Sequence, residues 1–471
     1  MLIRAATLLN GQRVDVRVGG GMVAEIAASL QAHDEDMVIE AEGGALLPGL
    51  HDHHIHLFAL ASSFRSVFCG TPLGAAGLVE RLRAAPGDGW VRGVAYHETV
   101  AGDIDASWLD RAVPDRPVRI QHRSGRLWIF NSAALALLGG GAAGTPLECA
   151  AGRATGRLYD GDQWLRERLK PEAPSLAWAS ARLAARGVTS VSDATAANDA
   201  GAFQLLRRAR QTGELRQHVA VMGGEEIAAC ESVDGCAALA RKIHLHDGDY
   251  PEPEAFMAML HHATAHGLQV AVHCVTEADL AYALSLMEEV GPSRGYRIEH
   301  ASVVPPDMLS RMAAAGVTVV TQPHFIAERG DAYRADVPVP EHDWLYRGAA
   351  FLAHGVKLGG GDGCAVREFR SVAGNAGGGG AAHARRRRAG AGGAADTGAS
   401  FGTVHDTLVS AGGRARRVRA GAAADLCLLR QPWALARVAL DRVEVMAAVQ
   451  DGVIIHRDVS ALRSKRNEMA Q

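Results

Sequence analysis

Four histidines stand at the ends of apolar, strand-like runs. In Pro48-Gly49-Leu50-His51-Asp52-His53-His54-Ile55-His56 the side chains of a strand alternate with period two, which puts His54 and His56 on one face. Two imidazoles side by side suit a borderline-soft divalent ion such as zinc. His51 with His53, on the opposite face, and His244 with His246 repeat that spacing, so position must decide between the pairs. His54 and His56 close their strand just after a Pro-Gly, at the end where α/β-barrel active sites lie. His273 ends Val270-Ala271-Val272, His300 ends Arg297-Ile298-Glu299, and Lys242 opens a further strand. A lone strand-end histidine is usually structural, but four of them on three strands point to a metal.

The elements that must position these residues are βα units. Short β-branched runs alternate with helical patterns, the signature of a parallel sheet. The runs predict eight barrel strands at Gly49–Leu57, Val188–Asp193, Gln217–Met222, Lys242–His246, Gln269–Cys274, Tyr296–His300, Val317–Gln322 and Val356–Gly360. Alternating apolar and polar residues with turns at Asn10-Gly11, Gly19-Gly20-Gly21 and Asp451-Gly452 place antiparallel strands at both chain ends. The expected fold is therefore an α/β chain, a TIM-like (β/α)₈ barrel over 47–413 with a small β-sandwich domain from 1–46 and 414–471. The first two barrel strands are too far apart for a simple crossover, so a lobe is inserted at about 60–175.

Composition narrows the function. The chain has 471 residues, 48% of them hydrophobic and 21% charged, and a formal net charge of −3, which argues against a nucleic-acid or membrane-surface partner. The expected partner is a small-molecule substrate; a homo-oligomer stays open. No run approaches the roughly 20 apolar residues of a membrane span, and a cytoplasmic location is expected. Seven cysteines without C-x-x-C spacing form neither a disulfide framework nor a thiolate zinc site.

Taken together, the residues resemble the amidohydrolase superfamily, specifically its amidohydrolase-3, YtcJ-like group. The resemblance rests on Pro48-Gly49-Leu50-x-Asp52-x-His54-x-His56, Gly187-Val188-Thr189-Ser190-Val191, Lys242, His273, Arg297-Ile298-Glu299-His300-Ala301 and Gly421-x-x-Ala424-Asp425-Leu426. It implies that His54 and His56 hold one metal and His273 and His300 another. Lys242, carboxylated by carbon dioxide to a carbamate, would bridge one or two ions, with zinc first and manganese, iron or cobalt also compatible. The implied reaction is hydrolysis of a non-peptide C–N bond in a small amide-like substrate. A deaminase, an ester hydrolase and a catalytically impaired barrel are the alternatives. Asp52, Asp193 and Asp247 would support ligands. His97, Arg123 and His324 would contact substrate, with Asn131 in the same polar lining.

One segment departs from the pattern. The family reads approximately Gly-Thr-Asp-Ala-Pro-Phe-Gly after the eighth strand, where its aspartate is the general base; this chain reads Gly361-Asp362-Gly363-Cys364-Ala365-Val366-Arg367. From Gly359 to Thr407 there is no Leu, Ile, Met or Trp, and the stretch carries Gly377 to Gly380 and Arg385 to Arg388. A flexible basic loop is one reading of 361–413. Moving the reading frame by one nucleotide from Gly361 allows the family sequence, and a run of such matches in order favours a frameshift compensated near Gly412-Gly413. In the chain as written, Asp362 is the substitute base.

Overall fold

A computed structural model of the chain describes residues 1–64, 66–70, 73–139, 145–169, 173–233, 235–245, 249–293, 295–361 and 416–458. They fall into two compact units, Met1–Leu57 with the chain from Leu176 onward, and Phe58–Ser175.

The first unit contains the barrel. Its strands are β1 (Leu50–Ile55), β2 (Val188–Asp193), β3 (His218–Gly223), β4 (Cys236–His244), β5 (Gln269–Cys274), β6 (Tyr296–His300), β7 (Thr318–Thr321) and β8 (Lys357–Gly360). They hydrogen-bond in chain order, and every neighbouring pair is parallel. Strands covered on both faces tolerate long apolar runs, and β2 and β3 are buried along almost their whole length. Helices Pro253–Ala265, Glu277–Val290 and Pro306–Ala314 connect β4 through β7. Their Phe256, Leu260, Leu280, Leu284, Met287 and Met308 pack on Val270, Val272, Cys274, Ile298 and Val319. Cys274 is thus a packing residue, as alternation with His273 requires.

β4 begins six residues earlier than the sequence suggested. Cys236-Ala237-Ala238-Leu239-Ala240 lacks the β-branched residues that mark a strand, and burial between β3 and β5 overrides that weak propensity. The consequence is that Lys242 lies near the C-terminal end of its strand rather than opening it.

β8 closes back toward β1 at Gly361. A Cβ there would stand 2.6 Å from the Cβ of His54 and 2.8 Å from its backbone nitrogen, so only glycine lets the two strand ends approach.

The chain ends make two four-stranded sheets sharing one core. Leu2–Thr7, Arg13–Gly19, Met22–Ala27 and Val38–Glu40 form one, while Leu46–Pro48, Leu426–Leu429, Val445–Gln450 and Val453–Arg457 form the other. The C-terminal strands mostly stack on the N-terminal ones instead of extending their sheet; Leu46–Pro48 pairs directly with Leu426–Leu429. Sandwich and barrel meet at Gly187, whose φ is +77° and whose added Cβ would lie 2.3 Å from Cys427 Sγ. Gly187→Ala combines a left-handed backbone with overpacking and is expected to cost roughly 2–5 kcal/mol, read as a lower thermal midpoint.

The second unit is built on a six-stranded mixed sheet in the order Leu147–Ala150, Arg153–Tyr159, Leu127–Phe130, Val118–His122, Val91–Tyr96 and Val67–Phe68. Among the described residues no helix is long and apolar enough to cross a membrane.

Candidate metal centre

Three barrel strands deliver imidazoles to one cluster. The rings of His54 and His56 are 5.3 Å apart and nearly perpendicular, His54 is 4.7 Å from His300, and His300 is 4.6 Å from His273. His273 follows from alternation, since Val272 and Cys274 face the helices. His300 does not. Tyr296 and Ile298 pack outward, and period two would send His300 after them. Positive φ values of 70° at His300 and 45° at Ala301 turn the chain so that the ring joins His54 and His273. Such backbone costs about 1–3 kcal/mol per non-glycine residue and persists where surrounding structure enforces it, commonly at functional sites.

Three of the four rings are held by Nδ1. His54 Nδ1 bonds Glu299 Oε2, His56 Nδ1 bonds Thr195 Oγ1 at 2.9 Å, and His300 Nδ1 bonds Gln322 Oε1 at 2.7 Å. A neutral imidazole that donates Nδ1–H presents its lone pair at Nε2, the arrangement that orients metal-ligating histidines. Burial lowers the pKa of all four rings, that of His300 to about 4. They are therefore neutral at pH 7, as ligation requires.

The carboxylates support this set. Asp52 Oδ1 accepts from the His54 amide at 3.0 Å. Asp193 accepts from the Leu57 and Thr195 amides and from Asn198 Nδ2, fixing the residues on either side of His56 and its hydroxyl partner. Glu299 carries more of the arrangement than the sequence reading gave it. It is fully buried, and Arg297 donates to both its oxygens and to the His53 carbonyl. Burial alone would push the Glu299 carboxyl up, but Arg297, Lys242 and His54 hold it well below the usual range. The signal was the i, i+2 pairing of Arg297 with Glu299 on one strand face. Glu299→Gln is expected to weaken metal binding about 10–100-fold, measured by zinc titration of a variant shown to be folded by circular dichroism.

Lys242 is buried, and its Nζ has no hydrogen-bond partner among the described residues. Burial brings its pKa down to about 8. Its charge lowers the pKa of each of the four histidines, in addition to their larger desolvation. A buried amine with no acceptor among the described residues fits a lysine that would join the histidines in holding a metal.

The other candidates divide. His51 and His53 stack at 4.1 Å, and His51 bonds Ser192 Oγ at 2.9 Å and Ser190 Oγ at 3.0 Å, so both its nitrogens are used structurally. The His244 ring lies 4.2 Å from that of His273, tilted by 48°. His324 is buried at the start of helix His324–Asp336, its ring edge-on to Phe325. His97 and Arg123 belong to the Phe58–Ser175 unit. Asn131 is not a pocket residue. Its oxygen accepts from the Val118 and Ala134 amides and its amide donates to Val113 and Arg116, which uses it up as a helix cap and strand tie. Asp362, Asp247, His246 and the segment 362–415 lie outside the described residues.

A model for the amidohydrolase family matches residues 37–456. The chain belongs to that family. Among curated relatives, this amidohydrolase is 22% identical to the protein LONG AFTER FAR-RED 3 of Arabidopsis thaliana over 64% of this chain and 62% of that one. It is 25% identical to YtcJ of Bacillus subtilis (strain 168) over 61% of this chain and 64% of that one. It thus spans a little under two thirds of the length of these relatives. Among solved structures, a protein described as an uncharacterized metal-dependent hydrolase from Pyrococcus horikoshii OT3 shares the fold with a TM-score of 0.73 and 18% identity, over 91% of this chain and 97% of that one.

Proposed function

We propose that this amidohydrolase is a metal-dependent hydrolase of a non-peptide C–N bond in a small amide-like substrate. The observation that carries the reading is Lys242, whose buried Nζ has no hydrogen-bond partner among the described residues and whose strand pairs with the one that carries His273. His54, His56, His273 and His300, with Lys242 as its carbamate, would hold one or two divalent ions, zinc first. When bound, such ions lower the pKa of water from about 15.7 to about 7 and polarise the scissile carbonyl.

The chain's own groups do the rest. Glu299, Thr195 and Gln322 hold three imidazoles by Nδ1, so that their Nε2 lone pairs need no reorientation. The proton released as water attacks the carbonyl passes to a carboxylate, and Asp362, two residues beyond β8 in the sequence, is assigned that role. His324 is assigned to substrate contact.

The test is a panel of N-formyl amines, cyclic amides, anilides, aminopyrimidines and carboxylic esters, run on zinc-loaded and chelator-stripped protein. Zinc-dependent turnover of amides supports the proposal. Metal binding without turnover in a clone whose reading frame has been verified across codons 355–415 defeats it.

A further inference from the structure

Outside the barrel, a second set of donors converges in the Phe58–Ser175 unit. Val91–Tyr96 and Val118–His122 are parallel neighbours, with Tyr96 in register with His122. The strand ends therefore set His97 and Glu98 beside His122. The two rings are stacked, their centroids 5.6 Å apart and their planes 29° apart. Glu98 Oε2 stands 3.3 Å from His122 Nε2 and 3.5 Å from His97 Nε2, and the three ligand atoms lie within 4.8 Å of one another.

The same device aims both rings. His97 Nδ1 contacts the Thr99 hydroxyl at 2.9 Å, and His122 Nδ1 contacts the Ser124 hydroxyl at 2.8 Å, each two residues further along the chain. The Thr99 and Ser124 amides donate to these nitrogens, at 3.3 and 3.1 Å, so Nδ1 accepts there and the ring proton sits on Nε2, facing Glu98. A metal ion would take the place of that Nε2 proton, with the ring proton then on Nδ1 and donated to the neighbouring hydroxyl, which accepts as well as donates. Burial lowers the His122 pKa, with Glu98 partly offsetting it, so the ring is neutral at pH 7.

The three donors are grouped as metal ligands would be, and the His122–Glu98 contact at 3.3 Å is also within hydrogen-bond reach. Charge-assisted N–H···O⁻ bonds close to about 2.7–2.9 Å. The Arg126–Asp160 pair of the same unit does so, at 2.8 and 2.6 Å. Glu98 and its two imidazoles stay further apart. Two ligand atoms each about 2.0–2.1 Å from a tetrahedral zinc stand about 3.3–3.4 Å apart, close to the 3.3 and 3.5 Å between Glu98 Oε2 and the two rings. We propose that His97 Nε2, His122 Nε2 and Glu98 Oε2 form a zinc-type divalent metal site in this unit. Three protein ligands leave a fourth position for water or an anionic oxygen, as in open rather than closed zinc sites. The ion would tie two parallel strand ends together. All three ligands belong to the Phe58–Ser175 unit.

Zinc counting on the full chain tests it. Wild type, Glu98→Gln, His122→Ala, the double variant His54→Ala/His56→Ala, and that double variant carrying Glu98→Gln are stripped with chelator. Each is then titrated with zinc and counted by mass spectrometry after gel filtration. Glu98→Gln and His122→Ala are each expected to hold one zinc fewer than wild type. The His54→Ala/His56→Ala chain is expected to keep one ion, to gain thermal stability on adding zinc, and to show a cobalt(II) visible band. Adding Glu98→Gln removes all three signals. Glu98 is exposed, so its glutamine variant tests ligation without a packing defect, and an apo melting temperature equal to wild type verifies this. The proposal is overturned if Glu98→Gln holds as many zinc ions as wild type, or if the His54→Ala/His56→Ala chain shows neither a retained zinc nor a cobalt band.

Discussion

Alanine at both His54 and His56 is expected to strip the barrel of metal and to lower amide turnover by at least about 10³-fold, the loss that follows when water activation and carbonyl polarisation disappear together. The argument rests on what each ring already does. His54 spends Nδ1 on Glu299 and His56 spends Nδ1 on Thr195, so the Nε2 atoms are what the substitution deletes from the cluster. The fold should survive, because Glu299 keeps Arg297 and Asp193 keeps its backbone donors. The neighbouring pair supplies the control. His51 shares the same strand and spacing, but its nitrogens are committed to Ser190 and Ser192. His51→Ala is expected to cost about 1–3 kcal/mol of stability by leaving those hydroxyls unpaired, with the zinc count unchanged. Zinc counts and denaturation curves on the two variants separate ligation from packing. If His51→Ala lost metal and the double variant did not, the assignment of the pair would be wrong.

The sequence was most legible where chemistry and pattern coincided. β2, β5 and β6 are β-branched or aromatic runs that end in polar residues, and their bounds in the structure are those expected from the sequence. The weak point was β4, since alanine marks no strand by itself and only the pairing with β3 and β5 selects that conformation. Alternation also reached its limit at His300. The left-handed turn at His300 and Ala301 leaves no mark in residue type, because neither is glycine. Glu299 was in view as part of a motif, yet its link to His54 joins residues far apart in the chain and needed the closed barrel to appear. The cluster of His97, Glu98 and His122 has the same cause. The sequence points to His97 for substrate contact; the pairing of its ring with His122 comes through a strand register that no local pattern encodes.

Removing the Lys242 side chain is expected to be nearly as severe, and it tests a distinct part of the site. In forming a carbamate, the neutral Nζ attacks carbon dioxide, an N–C bond forms, one proton leaves to solvent, and a carboxylate replaces the amine. Lys242→Ala should therefore lose at least about 10²-fold in zinc affinity, the upper end of what even a supporting residue supplies. Turnover should fall with it. A short carboxylate such as formate can occupy the vacated volume and offer the same two oxygens, so formate is expected to restore part of both. Lys242→Arg should not be restored, since a guanidinium stays charged and fills the space. Bicarbonate supplies the discriminating readout. Wild type stripped of carbon dioxide should take up zinc poorly until bicarbonate is returned, whereas Lys242→Ala should ignore bicarbonate and answer only to formate. Zinc uptake by wild type that is indifferent to bicarbonate would mean that Nζ remains an amine. The site would then bind metal through histidines alone, and a positive charge acting on four imidazoles would oppose every cation brought to them.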